Sequence, residues 1–297
     1  RFRKQIKNQL RKGRAIMEIK KIMVVGAGLM GRGIVEAAAK AGYSVFWYEK
    51  NGEIGSSSFI KLKESMNKAV EKGKLEQSAK EKALSAITLV DYITAASDVD
   101  MVIEAITEKI SLKTALFTEL EALCKEKTIF ASNTSSLSIT ELAGCTKRPD
   151  RFIGMHFFSP VPVMKLVEII KGVETSDQTF NTAADIVTAM NKEYISAPDY
   201  PGFLVNRILL VMLNEAFNCI RDGMLPEDVD KGMTLGCNMP MGPLILADFV
   251  GLDVVYSVLT ILYEGYGDNK YKPCPLLKNM VDAGHLGRKT GRGFYTY

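Results

Sequence analysis

Histidine is nearly missing from this chain, with two in 297 residues. Any imidazole chemistry therefore rests on His156 or His285. Tryptophan occurs once, at Trp47. The five cysteines, Cys124, Cys145, Cys219, Cys237 and Cys274, include no CxxC pair and no metal-ligand spacing with a histidine. That argues against a zinc module or a dithiol redox motif and fits a reducing compartment. No apolar run reads as a membrane span. The most apolar stretch, 243–263, is interrupted by Asp248 and Asp253 and reads as part of a buried or interface helix. There is no GxSxG elbow, so no serine of this chain is marked as a nucleophile. No internal repeat is visible, and low complexity is confined to the first residues and the run Ser56, Ser57, Ser58.

Charge is uneven. The formal total is +4, yet residues 1–16 hold seven Lys or Arg and no acid, so without them the balance becomes −3. The basic character belongs to this leader. Met17, followed by EIKKIMVVG, looks like a natural start for a domain, and 1–16 is set outside the fold. Such a leader is read as upstream translated sequence or an added remnant, with a mitochondrial targeting segment as the alternative. A basic arm for nucleic acid is a third reading, but no base-reading motif follows it. The length favours two domains.

Residues 21–25 form an apolar strand, followed at once by Gly26-Ala27-Gly28-Leu29-Met30-Gly31 and a helical pattern over 34–40. This is GxGxxG between strand and helix. Gly26 and Gly28 allow a tight turn and close approach of backbone to a pyrophosphate, Gly31 allows close helix packing, and the helix N-terminus favours the anion. A second strand over 44–48 ends at Glu49, where an acid can hydrogen-bond an adenosine ribose diol and repel a 2′-phosphate. NAD is thus favoured over NADP, with Lys50 softening the discrimination. Gly33 reads as a packing position. About 35 charged, helix-prone residues follow as a helical excursion; Lys61, Lys63, Lys68, Lys72 and Lys74 mark a solvated face with i,i+4 acid partners, or else a face for a phosphate-rich substrate. Strands over 87–90, 101–105 and 128–132 continue the alternation, with a helix over 111–124 for which Ser111 is the expected N-cap. The pattern is that of a doubly wound α/β sheet of Rossmann type.

The run 131–138 (ASNTSSLS) falls at a strand C-terminus, the edge where such sheets place ligands. Ser138 and Glu141 have capping-box spacing, which leaves Ser135 for other work. Next come two β-rich segments, 151–158 and 165–170, around Pro160 and Pro162, which read as a hairpin. With its turn near 162, His156 and Glu168 lie opposite each other. Glu168 sits among Leu166, Val167, Ile169 and Ile170, where an unpaired carboxylate would cost roughly several kcal/mol, so a partner is expected. A carboxylate that fixes the tautomer makes His156 a better proton acceptor. The plain alternative is a structural His and a Glu that points to solvent. From Pro201 the pattern turns helical, with helices expected over 226–235, 243–265 and 276–283. Asn206, a poor helix former among apolar neighbours, needs a partner for its amide, in the fold or on a substrate oxygen.

The motifs VVGAGLMGRGI, VIEAITEKISLK, ASNTSSLSITELA, RFIGMHFFSPVPVMKLVEII, PGFLVNRIL, MPMGPLILADFVGLD and GRKTGRGFY together resemble the L-3-hydroxyacyl-CoA dehydrogenase family over nearly all of 18–297, most closely its bacterial 3-hydroxybutyryl-CoA members. The resemblance implies an NAD-binding domain over 17–200 and an all-α substrate-binding and dimerisation domain over 201–297. It implies a catalytic pair at His156 and Glu168, a substrate-positioning serine at Ser135 and an active-site asparagine at Asn206. Cofactor contacts fall on Gly26, Gly28, Leu29, Met30, Gly31, Glu49, Glu108, Lys113, Ser135, Ser159 and Lys289, and coenzyme A contacts on Ser65, Lys72 and Ser135. Two positions depart from the family: Glu49 stands where Asp is usual, and Ser159 where the HFFNP motif has Asn. The implied reaction is NAD-dependent interconversion of a short-chain L-3-hydroxyacyl-CoA and its 3-oxoacyl-CoA in fatty acid or butyrate metabolism, by a cytoplasmic homodimer that needs no metal, membrane or nucleic acid. A matrix location follows only if the leader is a targeting segment. The competing readings are a non-catalytic NAD-binding or sensing protein and a dehydrogenase of a free hydroxy acid.

Overall fold

In the computed structural model, which describes residues 16–297, the chain divides into two compact units that meet between Asp199 and Tyr200. The leader reading concerns residues that lie almost wholly outside the described range. In the first unit β1 (Lys21–Val25), β2 (Ser44–Tyr48), β3 (Ile87–Val90), β4 (Met101–Glu104), β5 (Ile129–Ser132), β6 (Phe152–Phe157), β7 (Leu166–Lys171) and β8 (Glu193–Pro198) form one sheet. Its order is β3-β2-β1-β4-β5-β6-β7-β8. All pairings are parallel except β6 with β7. Central parallel strands must hide both faces, which is why β4, β5 and β6 are buried at every position.

Helices cover both faces. Ile34, Val35 and Ala38 of α1 (Leu29–Lys40), Leu62 and Met66 of α2 (Gly52–Glu71), Ala83 of α3 (Gln77–Ser85) and Ala183, Ile186 and Val187 of α6 (Asp177–Ala189) share a core with Ile22, Val24, Ile103 and Met155. Phe117, from α4 (Ile110–Leu123), packs tilted against Phe130 and edge-on against Phe152, with centroids 5.7 and 4.6 Å away. The short α5 (Ile139–Ala143) starts at Ser138, whose hydroxyl accepts the Glu141 N–H, while Asp199 accepts the N–H groups of Ile139 and Thr140.

Several expectations are corrected. Ser111 is not the cap of α4: the helix begins at Ile110 after Lys109 and has no side-chain cap. Helix α1 starts at Leu29 rather than 34, so the end of the glycine motif is already helical. The excursion is two helices, and among the described residues none of its five lysines forms an ion pair; Lys63 instead lies over the Phe59 ring. Helix α6 and strand β8 were not anticipated.

The second unit holds α7 (Val205–Arg221), α8 (Pro226–Gly236), α9 (Pro243–Val250), α10 (Leu252–Tyr266) and α11 (Pro275–Asp282) around Leu213, Phe217, Leu244, Leu252, Leu259 and Leu277. The single helix expected over 243–265 is two helices that meet at 96°. Gly251 makes the break, at φ +102°, a value that L side chains rarely adopt. Among the described residues no single helix is long and apolar enough to cross a membrane. The C-terminal segment is pinned by buried carboxylates: Asp248 accepts the N–H groups of Phe294 and Tyr295 and the Tyr297 hydroxyl, and Asp230 accepts the Tyr295 hydroxyl.

Candidate active site

The site grows from the C-terminal ends of β1, β2, β4, β5 and β6. Beyond β1 the glycine turn is tightly built. A Cβ on Gly26 would sit 2.6 Å from the Ala105 carbonyl oxygen, and one on Gly31 would sit 2.0 Å from that of Gly26. Gly28, by contrast, faces open space with nothing within 4 Å, leaving the room a pyrophosphate needs at the start of α1. A Cβ on Gly33 would meet Val161 at 2.7 Å, so this glycine serves packing against the hairpin connection. Three side chains hold the turn. Glu49 accepts the Ala27 N–H at 3.0 Å and, with its other oxygen, the Asn51 N–H at 3.1 Å. The buried Trp47 indole donates to the Gly26 carbonyl, and the Ser58 hydroxyl to that of Ala27. This turn, with its open Gly28 and half-buried terminal acid, fits NAD.

Between β4 and β5 lies a polar cluster. Lys113, 1% exposed, donates to Glu104 at 2.5 Å and lies 3.2 Å from Glu108. Glu104, 0% exposed, also accepts the Ile106 N–H and the Ser132 hydroxyl. One Glu108 oxygen gathers the Thr134 hydroxyl, the Ser135 N–H at 2.8 Å and the Ser135 and Ser136 hydroxyls. Burial pushes the Glu108 carboxyl up, but Lys113 and the Thr134 and Ser135 hydrogen bonds outweigh it and hold it below the ordinary value.

The hairpin carries the imidazole. β6 and β7 pair antiparallel with His156 opposite Glu168, the register the spacing predicts. Nδ1 of His156 lies 2.6 Å from Oε2 of the fully buried Glu168. An ionised carboxylate there assigns the proton to Nδ1 and leaves Nε2 as acceptor. The Phe158 ring packs on the imidazole at 4.5 Å. The connection is clasped by buried Lys192, whose ammonium donates to the Val161 and Met164 carbonyls; burial, with Lys40 nearby, draws its pKa down.

The other named residues are placed as follows. Ser159, exposed, precedes Pro160 just past β6, and Leu29 is exposed at the start of α1. Ser65 is exposed on α2 and Lys72 is exposed at its C-cap. In the second unit Asn206 lies in the first turn of α7, and Lys289 forms an ion pair with Asp253 at 2.5 Å. Sequence reasoning passed over Trp47, Ser58, Lys192 and above all Glu104. That acid closes the apolar strand MVIE, the same signal that drew attention to Glu168.

The glycine turn and the buried His156–Glu168 pair lie at the same edge of one sheet, an arrangement suited to bringing a hydride carrier and a base to one alcohol carbon. The class so defined is that of the nicotinamide-dependent dehydrogenases. Residues 21–200 match the 3-hydroxyacyl-CoA dehydrogenase NAD binding domain, and 202–297 match the C-terminal domain of the same enzymes. A probable 3-hydroxybutyryl-CoA dehydrogenase of Bacillus subtilis is 49% identical over 282 residues, 95% of this chain and 98% of that protein. The human mitochondrial hydroxyacyl-coenzyme A dehydrogenase is 42% identical over 288 residues, 94% of this chain and 91% of that one. The crystal structure of (S)-3-hydroxybutyryl-CoA dehydrogenase from Ralstonia eutropha superposes with a TM-score of 0.92 at 44% identity, covering 94% of this chain and 99% of its own. The chain belongs to the 3-hydroxyacyl-CoA dehydrogenase family, and its cofactor is NAD.

Proposed function

We propose that this enzyme interconverts a short-chain L-3-hydroxyacyl-CoA, 3-hydroxybutyryl-CoA foremost, and its 3-oxoacyl-CoA, with His156 as the acid/base. The observation that carries the reading is the 2.6 Å contact between His156 and Glu168, buried at the nucleotide edge. Nothing about holding a dinucleotide requires that pair, which sets aside a purely binding or sensing protein. The names of the relatives supply the substrate class.

Bound NAD supplies the hydride acceptor, or as NADH the donor. The chain does the rest. The glycine turn and Glu49 hold the dinucleotide. Nε2 of His156 takes the hydroxyl proton as the carbonyl forms and returns it in the reverse direction, while Glu168 stabilises the imidazolium and fixes the ring. Ser135 and Asn206 orient the substrate oxygens, each contributing ~1–3 kcal/mol to positioning. The first unit binds the nucleotide; the second contributes substrate contacts and pairs two copies into a homodimer. The setting we assign is the cytoplasm.

The deciding assay follows NADH consumption with acetoacetyl-CoA against free acetoacetate. Turnover with the thioester and little with the acid is the expected result. The opposite preference would make this a dehydrogenase of a free hydroxy acid, and no turnover with either would leave nucleotide binding without chemistry.

A further inference from the structure

We propose that Glu104, which neither the family resemblance nor the reaction chemistry assigns, is a positioning residue: through Lys113 and Glu108 it fixes the loop that carries Ser135. The inference rests on the assignment of Ser135 to the substrate. Glu104 ends β4 with no exposed surface, and both its oxygens are engaged. One accepts the Ile106 N–H at 2.7 Å and the Lys113 ammonium at 2.5 Å; the other accepts the Ser132 hydroxyl at 2.6 Å. It therefore joins the ends of β4 and β5 to the buried ammonium of Lys113. Lys113 in turn lies 3.2 Å from Glu108 Oε2, while Glu108 Oε1 holds the Ser135 N–H and hydroxyl. Ser132 closes the circuit by accepting the Thr134 N–H at 3.2 Å.

The charges explain why a carboxylate is needed. A buried ammonium with one partly exposed carboxylate for company is free to swing toward it and toward water; a second, fully buried carboxylate holds it in place. Glu104 thus sets where Lys113 stands, Lys113 sets Glu108, and Glu108 sets the hydroxyl that orients substrate. A group held this way acts on rate by geometry, since small misplacements of an orienting group cost turnover.

The test is a double-mutant cycle with Glu104→Gln and Ser135→Ala, assayed with acetoacetyl-CoA and NADH alongside thermal melts. Glu104→Gln keeps the side-chain shape and removes the charge. It should lower kcat/KM roughly tenfold, mostly through kcat. In the Ser135→Ala background the same change should cost less than about twofold, because the group it positions is gone. A purely structural Glu104 would multiply fully with Ser135→Ala, and that result, or wild-type kcat in Glu104→Gln, overturns the proposal. If Glu104→Gln does not fold, Glu104→Asp, which keeps the charge but falls short of Lys113, is read by the same cycle. His156→Gln separates the two levels of argument: if it stays active the reaction assignment fails, whereas an inactive His156→Gln beside an unaffected Glu104→Gln sinks this inference alone.

Discussion

The expectations for His156 and Glu168 follow from the low dielectric around β6 and β7. His156→Gln and Glu168→Gln should each keep NADH affinity and lose about 10²-fold or more in kcat, since one removes the proton acceptor and the other the charge that stabilises the imidazolium. NADH fluorescence titration beside steady-state kinetics separates the two effects; near wild-type kcat in His156→Gln would mean the proton goes elsewhere. Glu168 could be found from sequence because a lone acid in a run of branched apolar residues must be paired, and the equal spacing of a hairpin about its turn near 162 named its partner. The same rule applied to MVIE would have found Glu104. Its partner Lys113 comes from a helix nine positions later, a distance no strand register reports. Glu108 also gives a pH prediction. Its carboxyl is held below the ordinary 4.5, so its contribution to stability is present above that value and lost as pH falls through the lowered one. Melting temperatures of the wild type should fall on acidification below about pH 4.5, and those of Glu108→Gln should fall less steeply. Parallel curves would show that Lys113 does not hold this carboxylate.

Among elements, the parallel strands and the glycine turn were readable because continuous apolar runs and GxGxxG are local signals. What escaped was held in place by tertiary contacts. Helix α6, DQTFNTAADIVTA, packs through Thr179, Thr182, Ala183, Ala184, Ile186 and Val187, of which only the last two are large and apolar, so its apolar stripe is faint in the sequence. Strand β8 is an edge strand that ends in Pro198, a residue that argues against a central strand. The break between α9 and α10 rests on Gly251 alone, which a pattern of apolar residues does not reveal. At the end of β2, Glu49, which we propose faces the ribose diol, also accepts the Ala27 N–H, so the turn and the cofactor preference share one carboxylate. Glu49→Ala should lower kcat/KM with NADH and raise the NADPH/NADH ratio by about tenfold, the ~1.4 kcal/mol that a nearby like charge costs a 2′-phosphate. A wild type that works better with NADPH would contradict this and point to Lys50 or Arg32 as the phosphate partner.

For the whole molecule the question is what covers the helical unit. Leu244, Ala247, Leu252, Val255, Leu259 and Leu262 face the unit's own core, but Phe249, Val250 and Val254, from the same two helices, stay more than two-fifths exposed. Leu204, Ile208 and Leu235 are exposed to a similar or greater degree. The stretch 243–265 thus forms two helices, each with a face turned inward and apolar residues left outside. These six exposed apolar side chains are the surface that we propose a second copy covers, two-fold pairing being the commonest arrangement. The expected outcome is a homodimer, and light scattering tests it directly. A mass of twice 32.8 kDa that persists on dilution to about micromolar supports pairing. Val250→Glu with Val254→Glu should then shift the mass to that of one chain, because a carboxylate buried without a partner costs several kcal/mol, roughly what an interface of ordinary size has to spare. A wild-type mass of 32.8 kDa with full activity would show that the enzyme works as a single chain and that these side chains are simply wet.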